Sequence, residues 1–236
     1  MELKISEMFK SIQGEGVNVG KEELFIRFHG CNLNCEWCDT KYAQDKTKVR
    51  KRSVEEIKNF YKRSNVNRVT LTGGEPMIQD SEVLKRLVTD LRSVKKSIIS
   101  VETNGTIAPI EKEIFDFYSI SPKMESSGNK IQKEELKTFI QCICGKDFQI
   151  KFVIADYNDM MEVEDYLKDV DIKEAIAKNC VHSDFEIVFQ PEYNSINLKQ
   201  LYRLYDAQFR DSPVIGSFPY EEVRIIPQVH KMGELQ

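Results

Sequence analysis

The sequence predicts an α/β fold, an incomplete TIM-like barrel of about six parallel strands with flanking helices, formed as a single domain over residues 1–236. Three observations lead there. Short apolar, β-branched runs alternate, nearly from end to end, with longer stretches whose apolar residues recur three and four apart. Strands joined through helices must run parallel, since a hairpin turn cannot make that connection, and a parallel sheet is buried under its helices. The length suits about six such units, whereas a closed barrel needs eight in roughly 250 residues. A closed barrel and a flat doubly wound sheet share the pattern, which leaves both open.

In chain order, the expected strands are LFIRFHG from Leu24, RVTLT from Arg68, SIISVET from Ser97, FYSISP from Phe117, QIKFVIA from Gln149 and FEIVFQ from Phe185. The first, second and fifth intervals hold SVEEIKNFYKRS, SEVLKRLVTDLRS and DMMEVEDYLKDV. KEELKTFIQCI precedes the fifth strand, and NLKQLYRLYDAQF follows the sixth. Each of these places apolar residues along one helical face. SPKMESSGNKIQ and QFRDSPVIGSFPYEE are loop-like and read as excursions within one domain.

Hydrophobic residues at 41% and charged ones at 31% describe an ordinary globular chain. Without a long apolar run or a secretory leader at Met1, the expectation is a cytoplasmic protein with no membrane contact. A formal charge of -4 argues against nonspecific nucleic-acid binding and leaves a local basic patch open. Six cysteines in such a chain suggest metal rather than disulfides.

Three of the six fall in GCNLNCEWCDT, as Cys31, Cys35 and Cys38. They follow the first strand, at the rim where loops of a parallel sheet converge on a common mouth. A structural zinc site wants four nitrogen or sulfur donors, and His29 is the one candidate to complete such a set. Three thiolates on a 4Fe-4S cluster instead leave one iron open to a small molecule. LTGGEP, from Leu71, follows the second strand, and its glycines let backbone approach a ligand; taken alone, such a segment is more often a plain tight turn, and its place after the cysteine motif favours the ligand. Cys142, Cys144 and Cys180 read as buried or incidental thiols.

Cys31-x3-Cys35-x2-Cys38 with Trp37 before the last cysteine resembles the motif of the radical S-adenosylmethionine superfamily. SIQGEG at Ser11, Arg27, CDT at Cys38, ETNGT at Glu102, SPK at Ser121 and PQVHK at Pro227 together resemble the 7-carboxy-7-deazaguanine synthase family over almost the whole chain. That resemblance implies a lyase of queuosine and deazapurine biosynthesis. It would convert 6-carboxy-5,6,7,8-tetrahydropterin to 7-carboxy-7-deazaguanine with loss of ammonia, using the cluster, S-adenosylmethionine and Mg2+. A flavodoxin- or ferredoxin-type reductant and a homodimer are implied too.

By the same resemblance Cys31, Cys35 and Cys38 hold the cluster, and Thr40 is a magnesium ligand or else a turn cap. Trp37, Asp39, Gly74, Glu75, Ser121, Pro122, Lys123 and Gln190 would contact S-adenosylmethionine. Ile12, Gln13 and Gly14 would meet the pterin's pyrimidine edge, with Glu15 a second contact unless QGEG is a plain loop. Arg27, whose planar fork suits a carboxylate, would pair with the substrate carboxylate unless it faces outward from its strand. Thr72, His230 and the terminal carboxylate of Gln236 complete the expected substrate contacts. Two competing readings are an activating enzyme for glycyl-radical proteins, which shares the cysteine motif, and a zinc-bound structural or interaction module.

Overall fold

All six apolar runs become neighbouring strands of one sheet in a computed structural model, which describes residues 2–109, 111–130, 133–169, 174–175, 184–210, 212 and 223–233. The elements are β1 (Glu2–Ile12), β2 (Glu22–Phe28), β3 (Arg50–Ser53), α1 (Val54–Arg63), β4 (Arg68–Gly73), α2 (Ser81–Val94), β5 (Ile98–Thr103) and β6 (Phe117–Ile120). They continue with α3 (Lys133–Cys142), β7 (Asp147–Ile154), α4 (Tyr157–Lys168), β8 (Phe185–Pro191), α5 (Leu198–Phe209), β9 (Val223–Ile225) and α6 (Val229–Met232). The strand order is β3-β1-β2-β4-β5-β6-β7-β8-β9, with every pair from β2 to β9 parallel.

The six expected strands form the contiguous parallel middle of a larger sheet. Among the described residues the sheet has nine, and β1 pairs antiparallel with both β2 and β3. The three extra strands lie at the two margins. Edge strands are freed from the demand for apolar residues on both faces, so the arginine- and lysine-rich RKRS of β3 pairs without carrying a strand-like sequence. The second loop-like stretch falls mostly outside the described residues.

Alternation along the parallel strands sorts side chains onto two faces. Leu24, Ile26 and Phe28 of β2, Val69 and Leu71 of β4, Ile99 and Val101 of β5 and Ile150, Phe152 and Ile154 of β7 are buried in the core. There α2 adds Leu84, Leu87, Val88 and Leu91, each of which contributes about 1.5–3 kcal/mol on full burial. The alternate positions carry Arg27, Thr72, Glu102, Lys151 and Gln190, all of which face one cleft. A strand set built for two apolar faces has thus exchanged one of them for polar groups. The helices are fastened at their starts: Ser53 and Glu56 form a reciprocal cap on α1, as do Asn197 and Gln200 on α5. No helix among the described residues is long and apolar enough to cross a membrane.

Candidate active site

At the C-terminal ends of the strands, the loop after β2 carries Cys31, Cys35 and Cys38 into the cleft. Several bonds fix it. Gly30 N–H donates to Ala43 O (2.9 Å), Glu36 N–H to Ser127 O (2.9 Å) and the Asn129 amide to Cys35 Sγ (3.3 Å). Asn104 Nδ2 donates to Asn32 Oδ1 (2.9 Å), joining the loop after β5 to the cysteine loop. Burial pushes the Cys31 and Cys35 thiols up. The turn after β4 presses against the same loop: Glu75 N–H donates to Gly30 O at 2.8 Å, and a Cβ on Gly74 would stand 1.9 Å from that carbonyl oxygen. Only glycine fits there.

The opposite end of the cleft is closed by residues 13–21, which join β1 to the N-terminal end of β2. Val17 N–H donates to Gln149 Oε1 (2.8 Å), and Val229 N–H donates to Gly14 O (2.9 Å). A Cβ on Gly14 would collide with His230, so chain segments far apart in sequence pack without a gap. Inside this cap Lys151 of β7 donates to Glu15, and Gln228 Nε2 donates to the other Glu15 oxygen (2.7 Å). Burial raises the Glu15 carboxyl, but Lys151, then His230, and the bonds from Lys151 and Gln228 outweigh it and hold the group well below the usual carboxylate range. Burial likewise works against charge on Lys151, and Glu15 and Glu102 overcome it, raising the ammonium above its ordinary value.

Between these ends, Glu102 receives Gln13 Nε2 (2.9 Å) on one oxygen and Thr72 Oγ1 (2.7 Å) on the other. Arg27 commits Nε to Glu7 Oε1 (2.7 Å) and shows no other hydrogen bond among the described residues, so its terminal nitrogens are uncommitted. Tyr42 also donates to Glu7; burial first, then that bond, pushes its phenol up to about 12. On the far wall, Lys123 Nζ donates to Ser121 Oγ (3.0 Å) and lies over the Trp37 ring (5.5 Å to the centroid). Gln190 is fully buried, and neither atom of its amide has a hydrogen-bond partner. Such a group is costly unless something polar is meant to meet it.

Residues 25–125 match the Radical SAM superfamily. A 7-carboxy-7-deazaguanine synthase of Pyrobaculum aerophilum is 34% identical, covering 98% of this chain and 94% of that protein. The enzyme of that name from Clostridium acetobutylicum is 34% identical over 73% of this chain and 77% of its own. The chain belongs to the 7-carboxy-7-deazaguanine synthase family. A crystal structure of QueE from Escherichia coli superposes with a TM-score of 0.68 at 23% identity, covering 98% of this chain and 95% of that one. The architecture is accordingly the partial barrel of radical SAM enzymes.

The residues present fit the cluster and S-adenosylmethionine that the superfamily implies. Among the described residues no three His, Cys, Asp or Glu side chains gather closely enough for a single ion. A cubane takes its three cysteines on three different irons, so its thiolates stand apart around the cluster rather than converging on one point. The partnerless Gln190 amide on the cleft wall is what a bound polar molecule would satisfy.

Of the residues singled out by this family's motifs, Ile12, Gln13, Gly14, Glu15, Arg27, Thr72 and His230 line the cleft. So do Trp37, Asp39, Thr40, Gly74, Ser121, Lys123 and Gln190. Two do not. Glu75 is fully buried, with its carboxylate accepting from Thr103 Oγ1 (2.8 Å), Asn104 N–H (2.7 Å) and Met77 N–H (2.9 Å), so it braces the turn that presents Gly74. Pro122 faces a small side pocket with Leu136 and Tyr166. Gln236 and Cys180 lie outside the described residues. Cys142 is exposed and Cys144 half-buried, so neither is a core thiol.

Lys151 is a cleft residue outside every motif, and Glu102 and Gln228 are cleft residues inside ETNGT and PQVHK to which the resemblance gave no role. A signal for Lys151 exists: it is the only charge within the seven buried positions of β7, and a buried lysine needs an acidic partner.

Proposed function

We propose that this chain, as one catalytic unit over residues 1–236, contracts 6-carboxy-5,6,7,8-tetrahydropterin to 7-carboxy-7-deazaguanine and releases ammonia. The proposal rests on one observation above all: a single cleft carries the three cysteines at one end and the Gln13–Glu15 cap with His230 at the other. Cluster and S-adenosylmethionine, when bound at the cysteine end, supply a carbon radical able to take a hydrogen atom. Everything else falls to the chain's own side chains.

Arg27 holds the substrate carboxylate with the nitrogens that Glu7 leaves free, and Glu7 fixes the plane of the fork. Glu102 and the Gln13 segment meet the donors and acceptors of the pyrimidine edge; each Glu102 oxygen accepts one bond and retains a further lone pair. Lys151 keeps Glu15 charged, so that carboxylate does not change protonation through neutral pH. Gln190, Ser121 and Lys123 hold S-adenosylmethionine against the Trp37 wall. Thr40, with Oγ1 3.6 Å from Cys38 Sγ, would lend a neutral hydroxyl to Mg2+; a single neutral oxygen is a weak donor, so magnesium would bind chiefly when substrate is present. A flavodoxin or ferredoxin supplies the electron, and two copies form a homodimer.

The deciding experiment is anaerobic incubation of iron-reconstituted protein with the carboxypterin, S-adenosylmethionine and a reductant. Appearance of the deazapurine is the expected result. Iron uptake without turnover would sink the assignment. Cys35→Ala should abolish both iron uptake and turnover while leaving the far-ultraviolet circular dichroism unchanged.

A further inference from the structure

The chain carries a net charge of -4, yet five of the seven residues from Lys46 to Arg52 are Lys or Arg and none is acidic. That segment runs into β3, an edge strand, and is followed by α1, whose last turn adds Lys62 and Arg63. Arg52 is answered by Glu56 (3.1 Å) and Lys51 by Glu2 (3.8 Å). Lys46, Arg50 and Arg63 are exposed and have no ion pair among the described residues. Arg50 and Arg63 line one surface groove, and the exposed Lys46 and Lys48 stand on the segment that leads into it; cations so placed on an acidic protein set up a field that draws in a negatively charged surface.

The place of this face in the fold gives it a use. Residues 41–44 form a turn directly after the cysteine loop, fastened to it by Gly30 N–H on Ala43 O (2.9 Å) and by Gln44 Nε2 on Leu33 O (3.4 Å), with Ala43 fully buried between. From the other side, His29 N–H donates to Lys4 O (2.9 Å). Lys4 lies opposite Lys51, and Ile5 opposite Arg50, in the β1–β3 ladder. Only β1 separates β3 from β2, so the basic strand runs roughly 10 Å from the strand that ends at the cysteine loop.

We propose that the face formed by Lys46, Lys48, Arg50 and Arg63 is the docking surface for a small acidic one-electron carrier protein, which reduces the cluster through the turn at residues 41–44. The proposal rests on the function proposed above, because it takes the cysteines to hold a redox cluster. One electron leaves the carrier, which is oxidised by one equivalent, and enters the cluster, which is reduced by one; no proton or group is transferred.

The test uses iron-reconstituted protein, a reduced flavodoxin as probe, and Lys46→Gln/Lys48→Gln/Arg50→Gln/Arg63→Gln, with Lys199→Gln/Arg203→Gln on α5 as control. In titration calorimetry at about 50 mM salt the quadruple variant should bind flavodoxin at least about tenfold more weakly than the parent, and salt at about 300 mM should erase the difference. Cluster reduction by flavodoxin should slow in proportion, while reduction by dithionite stays at the parent rate. Flavodoxin affinity within twofold of the parent, or an equal loss in the α5 control, overturns the docking face. Protein that takes up no iron, or whose cluster dithionite does not reduce, instead overturns the functional proposal on which it rests.

Discussion

Lys151→Met keeps an unbranched stem of similar length in β7 and removes the ammonium that faces Glu15. The two side chains are only 8% and 16% exposed, so the carboxylate left behind is largely shut off from water. Breaking a buried pair by removing one partner costs about 3–5 kcal/mol; here the Gln228 bond remains, which puts the expectation at the lower end, about 3 kcal/mol. The cost should depend on pH. In the parent the folded-state pKa of Glu15 is depressed, so its contribution is present above the unfolded value near 4.3 and is lost as pH falls through the folded value. Without Lys151 the leading lowering cause is gone and burial takes over, raising the folded pKa above the unfolded one. The variant's deficit is then largest at neutral pH and shrinks as pH falls toward about 4.3. Urea unfolding of parent and variant at several pH values between about 5 and 7.5 measures this, and adding Glu15→Gln should recover most of the loss. A deficit below about 1 kcal/mol, flat with pH and unchanged by Glu15→Gln, would refute the pairing.

Gln190→Leu should leave thermal stability equal or slightly higher, since it removes a partnerless buried amide, yet weaken S-adenosylmethionine binding about tenfold, the equivalent of one lost hydrogen bond, in equilibrium dialysis. Gly74→Ala places a carbon against the Gly30 carbonyl, and iron analysis together with dialysis should show S-adenosylmethionine binding lost, with the cysteine loop displaced even where protein remains soluble. Arg27→Lys should raise KM for the carboxypterin with little change in uncoupled cleavage of S-adenosylmethionine; an unchanged KM counts against Arg27 as the carboxylate partner.

The six core strands were legible because each is a short β-branched run with helical periodicity close by, and all six appear in the expected places. β1 escaped notice for a physical reason. Only two of its eleven residues are buried, so ELKISEMFKSI mixes polar and apolar residues without the density of a core strand. The cysteine loop and the Gly-Gly turn were legible because their chemistry is local. Lys151 was not, and Glu102 was given no role within ETNGT, because what ties each into the cleft is a partner on a distant segment: Glu15 for one, Gln13 and Thr72 for the other. Glu75 shows the converse, a motif residue whose carboxylate turns away from the cleft to tie down backbone.

Gly14 receives the amide of Val229, and Glu15 the amide group of Gln228, across more than two hundred positions of chain. A ribosome must therefore have released the chain through Gln228 and Val229 before the chamber can be sealed. A chain made only as far as the cysteine loop already possesses its thiols but lacks the wall that Gln228 and Val229 add behind Gly14 and Glu15.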